Sequence, residues 1–213
     1  DENPNWSTTG LWSWGQPSGG GGQYGNQDPT SGATGNNVMG YNLSGDYENN
    51  LSEKHLIAGP FDLSGNQNTQ LQFSRYLNVE QPQYDHASIG VKIDKGSWQT
   101  VWTNSSEITD SQWQPFLYDI SIADNSDSVW IRWTMGSTDT AWQYSGWNID
   151  DVSITASVEA GIVGDVNCDG VVNVIDLLSV VSEWGPCEGV CAEDIVPDQN
   201  VGVSDLLLVI GNW

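Results

Sequence analysis

Side chains that alternate apolar and polar, residue after residue, leave a chain little choice but to lay one face of a sheet on a core. In "TQLQFSRYLNV" the residues Leu71, Phe73, Leu77 and Val79 share one face. "ASIGVKID" groups Ala87, Ile89, Val91 and Ile93, and "SVWIRWTMG" groups Val129, Ile131, Trp133 and Met135. Clusters of Gly, Asn, Asp and Ser separate these runs. The pattern predicts antiparallel strands with one buried face, stacked as a two-sheet sandwich or jelly roll. The last run, "GWNIDDVSI", changes parity: Trp147 and Ile149 lie on one face, Val152 and Ile154 on the other. One residue too many at Asp150–Asp151 predicts a β-bulge, a device that re-aims side chains at a sheet rim. Asp150 or Asp151 is therefore a candidate cation ligand, and the plainer alternative is a carboxylate that caps a turn.

After Ile154 the periodicity becomes helical. "DLLSVVSEW" groups Leu177, Leu178, Val181 and Trp184, and "DLLLVIGNW" groups Leu206, Leu207, Ile210 and Trp213. Asp165 recurs as Asp194, Asp169 as Asp198, Asp176 as Asp205 and Trp184 as Trp213, a constant offset of 29 that marks an internal duplication. The expected organisation is a sandwich over 1–156, a linker over 157–163 and a small helical domain over 164–213. A lone helix of this length is marginal in water, so each helix is expected to bury its apolar row against the other's.

Each helix follows an oxygen-rich loop. Counted from Asp165, loop positions 1, 3, 5, 9 and 12 are Asp165, Asn167, Asp169, Asn173 and Asp176, with Val171 offering its carbonyl from position 7. Gly170 stands at position 6, where the chain turns sharply. Ca²⁺ takes six to eight oxygens from this kind of spacing. The second loop keeps Asp194, Asp198 and Asp205, with Asn200 at position 7, but has Val196 at position 3 and Gly202 at position 9. It should bind calcium more weakly, and it is retained for packing. Asp at position 12 followed by two leucines resembles type I dockerins, paired EF-hand-type loop–helix units. The resemblance is incomplete. Cohesin-binding dockerins carry hydroxyl pairs at positions 10 and 11, where this chain has Val174–Ile175 and Val203–Ser204. Val174 and Ile175 either meet another surface or are buried. Cys168, Cys187 and Cys191 are disulfide candidates, with Cys187 and Cys191 bridging each other or one of them reaching Cys168.

The segments "LWSWGQPSG", "GYNLSGDYENN", "AGPFDLSG", "YDHASIGVKID" and "GWNIDDVSI", in that order, resemble the MAM-like jelly-roll modules of secreted bacterial proteins. That resemblance implies a sandwich that often carries a structural calcium. It implies Asp46 and Glu48 as ligands together with Asp150 or Asp151, and a module that binds or stabilises without catalysing.

Five Lys and Arg face 28 Asp and Glu among 213 residues, for a net charge of −23, and no Lys or Arg follows Arg132. Such a surface repels phosphate backbones, which excludes nucleic-acid binding. No apolar run reaches the roughly 18 residues that a membrane span needs. Late cysteines, Asn-x-Ser sequons at Asn5, Asn42, Asn50 and Asn104, and a start at Asp1 rather than Met suit an exported, extracellular protein. If Asp1 and Trp213 are the mature ends, the two domains are the whole protein. Two histidines without HExxH spacing and the lack of a GxSxG elbow argue against an enzyme. "GGGGQYG" lacks the Lys of a phosphate loop and reads as a flexible loop. The favoured expectation is a calcium-binding structural subunit of an extracellular or cell-surface assembly, self-associating into filaments or engaging another extracellular protein. The alternative is a polysaccharide-binding or adhesion module that stacks sugars on Trp12, Trp14, Trp142 and Tyr144.

Overall fold

A computed structural model describes residues 2–158, 162–167, 169–187 and 191–213. The chain divides into two compact units, residues 1–158 and 159–213. The first contains β1 (Ser7–Thr8), β2 (Trp12–Gly15), β3 (Val38–Tyr41), β4 (Lys54–Phe61), β5 (Asn66–Val79) and β6 (Ala87–Ile93). There follow β7 (Gln99–Thr103), β8 (Ile108–Thr109), β9 (Gln114–Asp119), β10 (Val129–Met135) and β11 (Gly146–Val158). One antiparallel sheet has the order β1-β4-β10-β6-β7; the other has β2-β3-β11-β5-β8, with β9 also on β5. This is the β-sandwich that the alternating runs predict, and β11 carries on to Val158.

The faces fall as the periodicity requires. Leu71, Phe73, Leu77, Val79, Ile89, Val91, Ile131, Trp133 and Met135 are buried in one core with Trp147 and Ile149. Phe73 meets Trp133 edge to face with ring centres 5.6 Å apart, a geometry that aromatic quadrupoles favour. The bulge lies where the parity slips. Asp150 pairs with Ser74 and Ser153 with Gln72, so Asp151 and Val152 stand opposite Phe73 alone.

Between β2 and β3, residues 16–37 form a strap over the outer face of the second sheet. The glycine run within it is tied down rather than loose. Gly22 N donates to Asp46 Oδ1 at 2.6 Å, Asp28 N to the Gly20 carbonyl and Asn26 N to Asn78 Oδ1 at 2.8 Å. At φ +69° a Cβ on Gly21 would stand 2.6 Å from Asp46 Oδ1 and 3.0 Å from the Gly45 carbonyl carbon, so any larger residue would strain the strap.

The second unit repeats loop, helix, loop, helix, with α1 at Val174–Ser182 and α2 at Val203–Gly211. Two short strands, β12 (Gly185–Pro186) and β13 (Asn200–Val201), join the repeats. A disulfide links Cys187 to Cys191; Cys168 lies outside the described residues. The core is Val172, Val180, Cys187, Val201 and Val209, flanked by Leu177 and Leu206. This corrects the expected helix rotation. Leu178, Val181 and Trp184, and their copies Leu207, Ile210 and Trp213, are all about half exposed, as are Val174 and Ile175. Asp176 and Asp205 are buried instead. Both oxygens of each accept amides of their own loop, from Val166, Asn167 and Asn173 in the first repeat. Val196 and Gly202 donate in the second. Those bonds fix which side of each helix faces inward.

Position 6 of both loops adopts a left-handed backbone, at φ +86° for Gly170 and +66° for Gln199. That region costs an L-residue roughly 1–2 kcal/mol and glycine little. Gln199→Gly should therefore stabilise the second unit by about 0.5–1 kcal/mol in urea unfolding, after allowing for glycine's greater freedom when unfolded. A loss of stability would mean that the Gln199 side chain contributes more than its backbone strain costs.

Candidate functional site

At one end of the sandwich several loops converge. The β5–β6 loop brings Glu80, Gln81, Gln83, Tyr84 and Asp85, and the β10–β11 loop brings Asp139, Ala141 and Trp142. Asn104 clamps the first loop: its Nδ2 donates to the carbonyls of Glu80 and Asp85, and its Oδ1 accepts Ala87 N. Gln143 Nε2 donates to the Tyr47 carbonyl and ties the second loop to the β3–β4 connection. Between them lies a cleft of about 380 Å³ lined by Glu80, Gln81, Gln83, Tyr84, Asp139 and Trp142.

Trp142 is the most unusual residue at this end. Its indole is 52% exposed and stacks on Tyr24 of the strap at 5.0 Å between ring centres. Its backbone sits at φ +57°. A left-handed conformation is rare for a bulky residue, and strain of this kind concentrates at functional sites. Tyr84, also well exposed, lines the same cleft. The result is a broad apolar surface beside hydrogen-bonding groups.

Below the aromatics, Glu80, Asp85 and Asp139 each offer an oxygen within 4.8 Å of the other two. Asp85 is buried. It accepts the Tyr47 hydroxyl at 2.5 Å and Asp139 N at 2.9 Å. Burial pushes both the Asp85 and Glu80 carboxyls above the usual range; the charge of Asp139 adds to both, and that of Asp85 adds to Glu80. A divalent cation would relieve that repulsion, and three hard oxygens suit Ca²⁺. Nothing in the sequence announced this trio, because Asp139 comes from a distant loop.

Of the four aromatics expected to bind ligand, Trp142 alone is largely exposed. Trp12 is core, with its indole N–H on the Lys54 carbonyl. Tyr144 is buried, its hydroxyl on Glu107. Trp14 is partly buried against the core. The carboxylates implied by the jelly-roll resemblance have separate anchors. Asp46 holds Gly22 N and Gln23 N, and Glu48 accepts the Tyr41 hydroxyl. Asp150 accepts Thr34 N and Asp151 N, and Asp151 accepts the Thr34 hydroxyl. Among the described residues these do not assemble into a three-carboxylate cluster.

In the first loop of the second unit, Asp165 Oδ1 and Asn167 Oδ1 converge on one amide, Asp169 N, at 3.1 and 3.0 Å. Asp165 Oδ2 takes Gly170 N, and Asp169 Oδ1 takes Val171 N. The side chains of positions 1, 3 and 5 are thus gathered, with lone pairs to spare. Asn173, by contrast, caps α1: its Oδ1 accepts Ile175 N while its Nδ2 donates to the Val171 carbonyl. The second loop repeats the pattern through Asp194 and Asp198, the latter accepting Asn200 N.

No family model matches this chain, and no curated protein does. Solved structures do resemble it distantly. One is the carbohydrate-binding module TmCBM61 in complex with β-1,4-galactotriose, at 12% identity and TM-score 0.41 over 72% of this chain and 89% of that one. A second is the K1 cleaved adhesin domain of Lys-gingipain from Porphyromonas gingivalis W83, at 16% identity and TM-score 0.39 over 72% and 95%. A third is a family 16 carbohydrate-binding module, at 14% identity and TM-score 0.32 over 68% and 89%. Likeness at this level does not extend to function.

Proposed function

We propose that the sandwich is a carbohydrate-binding or adhesion module of a secreted, non-catalytic, calcium-binding protein, and that it grips a sugar chain at the Trp142 cleft. The observation that carries this reading is the exposed indole of Trp142, held on a left-handed backbone and stacked on Tyr24 above a polar cleft. A pyranose presents a face of C–H groups to an indole while its rim of hydroxyls seeks acceptors and donors. Gln81, Gln83, Glu80 and Asp139 supply those partners. Calcium on Glu80, Asp85 and Asp139 would hold the two loops in register. With Asp85 buried and both its oxygens engaged, the trio serves positioning better than acid–base chemistry. The Cys187–Cys191 bridge suits an oxidising, extracellular setting.

The intact chain should be retained on at least one insoluble neutral polysaccharide. Trp142→Ala should weaken retention tenfold or more, the equivalent of about 1.4 kcal/mol, with melting lowered only by the loss of the Tyr24 stack and the fold retained. Retention on none of a panel of β-glucans, galactans and xylans would end this reading, as would an unaffected Trp142→Ala.

A second reading, a subunit that self-associates or docks on another extracellular protein, draws on the second unit. The half-exposed rows of Leu178, Val181 and Trp184 and of Leu207, Ile210 and Trp213 are the kind of apolar surface that partners cover.

A further inference from the structure

The chain has few cations, and their placement is uneven. Of the five Lys and Arg, Arg75 pairs with Asp110 at 2.9 Å, Lys54 donates to Ser52 and Lys95 is exposed on the turn after β6. Lys92 and Arg132 lie together on one sheet face. Carboxylates outnumber cations more than five to one here, yet among the described residues neither side chain has a carboxylate in ion-pair range. Arg132 Nε is buried without an acceptor. The groups packed against their charges are indoles: Lys92 Nζ lies 4.2 Å from the centre of the Trp130 ring and 5.4 Å from that of Trp98, and Arg132 lies 4.5 Å from that of Trp98, while Glu53 acts on Arg132 from beyond ion-pair range.

The sheet explains the grouping. Ile89, Val91, Ile131 and Trp133 point into the core, so Gly90, Lys92, Trp130 and Arg132 point out from the opposite face. Register sets Arg132 beside Gly90 and Trp130 beside Lys92. Trp98 lies over Gly90, where an added Cβ would stand 3.6 Å from its ring. All four side chains are partly exposed. From Trp130 a cleft of about 420 Å³ continues past Ile57 and Phe61 to Trp6.

We infer that this face of the five-stranded sheet is a second glycan site, which takes uronic-acid units of an acidic polysaccharide. The pyranose ring lies on Trp130 in the cleft, and its carboxylate is held by Arg132 and Lys92. Arg132 is partly exposed, and a guanidinium presents a planar fork of donors that matches a carboxylate. Indoles pack against both cations without neutralising them, whereas a salt bridge would neutralise them. The net charge of −23 does not forbid the contact, because at physiological salt the Debye length is about 8 Å and the nearest charges dominate. This site shares no residue with the Trp142 cleft and stands or falls separately.

Native affinity electrophoresis of the full chain at physiological salt tests it, with polygalacturonate, its methyl ester and dextran sulfate in parallel gels. Polygalacturonate should retard the wild type and the ester should not. Arg132→Gln with Lys92→Gln should cut the polygalacturonate affinity at least tenfold with melting unchanged, while Trp142→Ala leaves it intact. Should the double variant melt lower, Lys92→Gln alone, at the rim, must still weaken binding. The inference fails if the ester retards equally, if dextran sulfate binds more tightly than polygalacturonate, or if the variants bind as wild type. Self-association that needs Arg132 and no glycan would also overturn it, and would assign the face to the acidic unit of another copy.

Discussion

Asp28→Asn should abolish most of the fall in stability that the sandwich undergoes as pH rises from about 4 to about 8. Asp28, a residue of the strap, is 4% exposed. Its Oδ1 accepts Asn148 Nδ2 at 2.7 Å, but its Oδ2 and Asn148 Oδ1 have no partner and are buried. Burial pushes the carboxyl from 3.8 up to about 8, against the Asn148 hydrogen bond and with a contribution from nearby Asp46. A single proton on Oδ2 would turn it into a donor, with Asn148 Oδ1 as an acceptor close by. The sign follows from which state holds that proton. Between the unfolded and folded values the folded chain keeps it and the unfolded chain has lost it. Stability therefore falls with rising pH through this window, by at most about 1.4 kcal/mol per unit, and levels off above it. Glu80, Asp85 and Asp150, also raised by burial, act in the same direction, so some slope will survive the substitution. Urea unfolding at a series of pH values reads the effect, and amide exchange at Asp28 and its neighbours shows whether the strap opens first. A slope as steep in Asp28→Asn as in the wild type would mean that Asp28 titrates normally.

The strands were legible because a half-buried sheet leaves a period of two in the chain, and the bulge because a slip in that period cannot be hidden. Gly170 betrayed a left-handed turn. The roles of the aromatics were not legible. Trp12 and Trp142 each precede a second aromatic by two residues, but Trp12 lies in a strand whose indole meets Lys54, while Trp142 lies in a loop. Only tertiary placement separates them. The helices misled for another reason. Val174, Ile175, Leu177, Leu178, Val180 and Val181 leave α1 with no polar side wide enough to set its rotation. The loop amides that bind Asp176 decide it, and Val180, one turn on, follows Asp176 inward. The Glu80–Asp85–Asp139 trio and the Lys92–Arg132 patch depend on strand register and loop closure, which local patterns do not encode.

Calcium added to chelator-treated protein should raise the unfolding free energy of the second unit by about 4 kcal/mol when free calcium is a thousandfold above Kd. The unit is small, and its buried core is Val172, Val180, Cys187, Val201 and Val209. Domains of that size generally need a staple beyond their core. The Cys187–Cys191 bridge joins residues only four apart in sequence, so it constrains little of the unfolded chain. The gathered oxygens of Asp165, Asn167 and Asp169 are better placed to supply the rest. Without a cation, carboxylates crowded into one turn repel each other, and loop amides alone must hold them. Asp165→Ala should erase most of the calcium response. Asp194→Ala should change it far less, because Val196 and Gly202 have already deprived the second loop of two oxygens. Scanning calorimetry of the whole chain can follow the two units as separate transitions, and titration calorimetry supplies the stoichiometry. Glu80→Gln separates any ion held in the sandwich from ions in the loops. If chelation moves neither transition and calcium gives no heat of binding, the loops are acidic turns held by their own amides, and the second unit stands without metal.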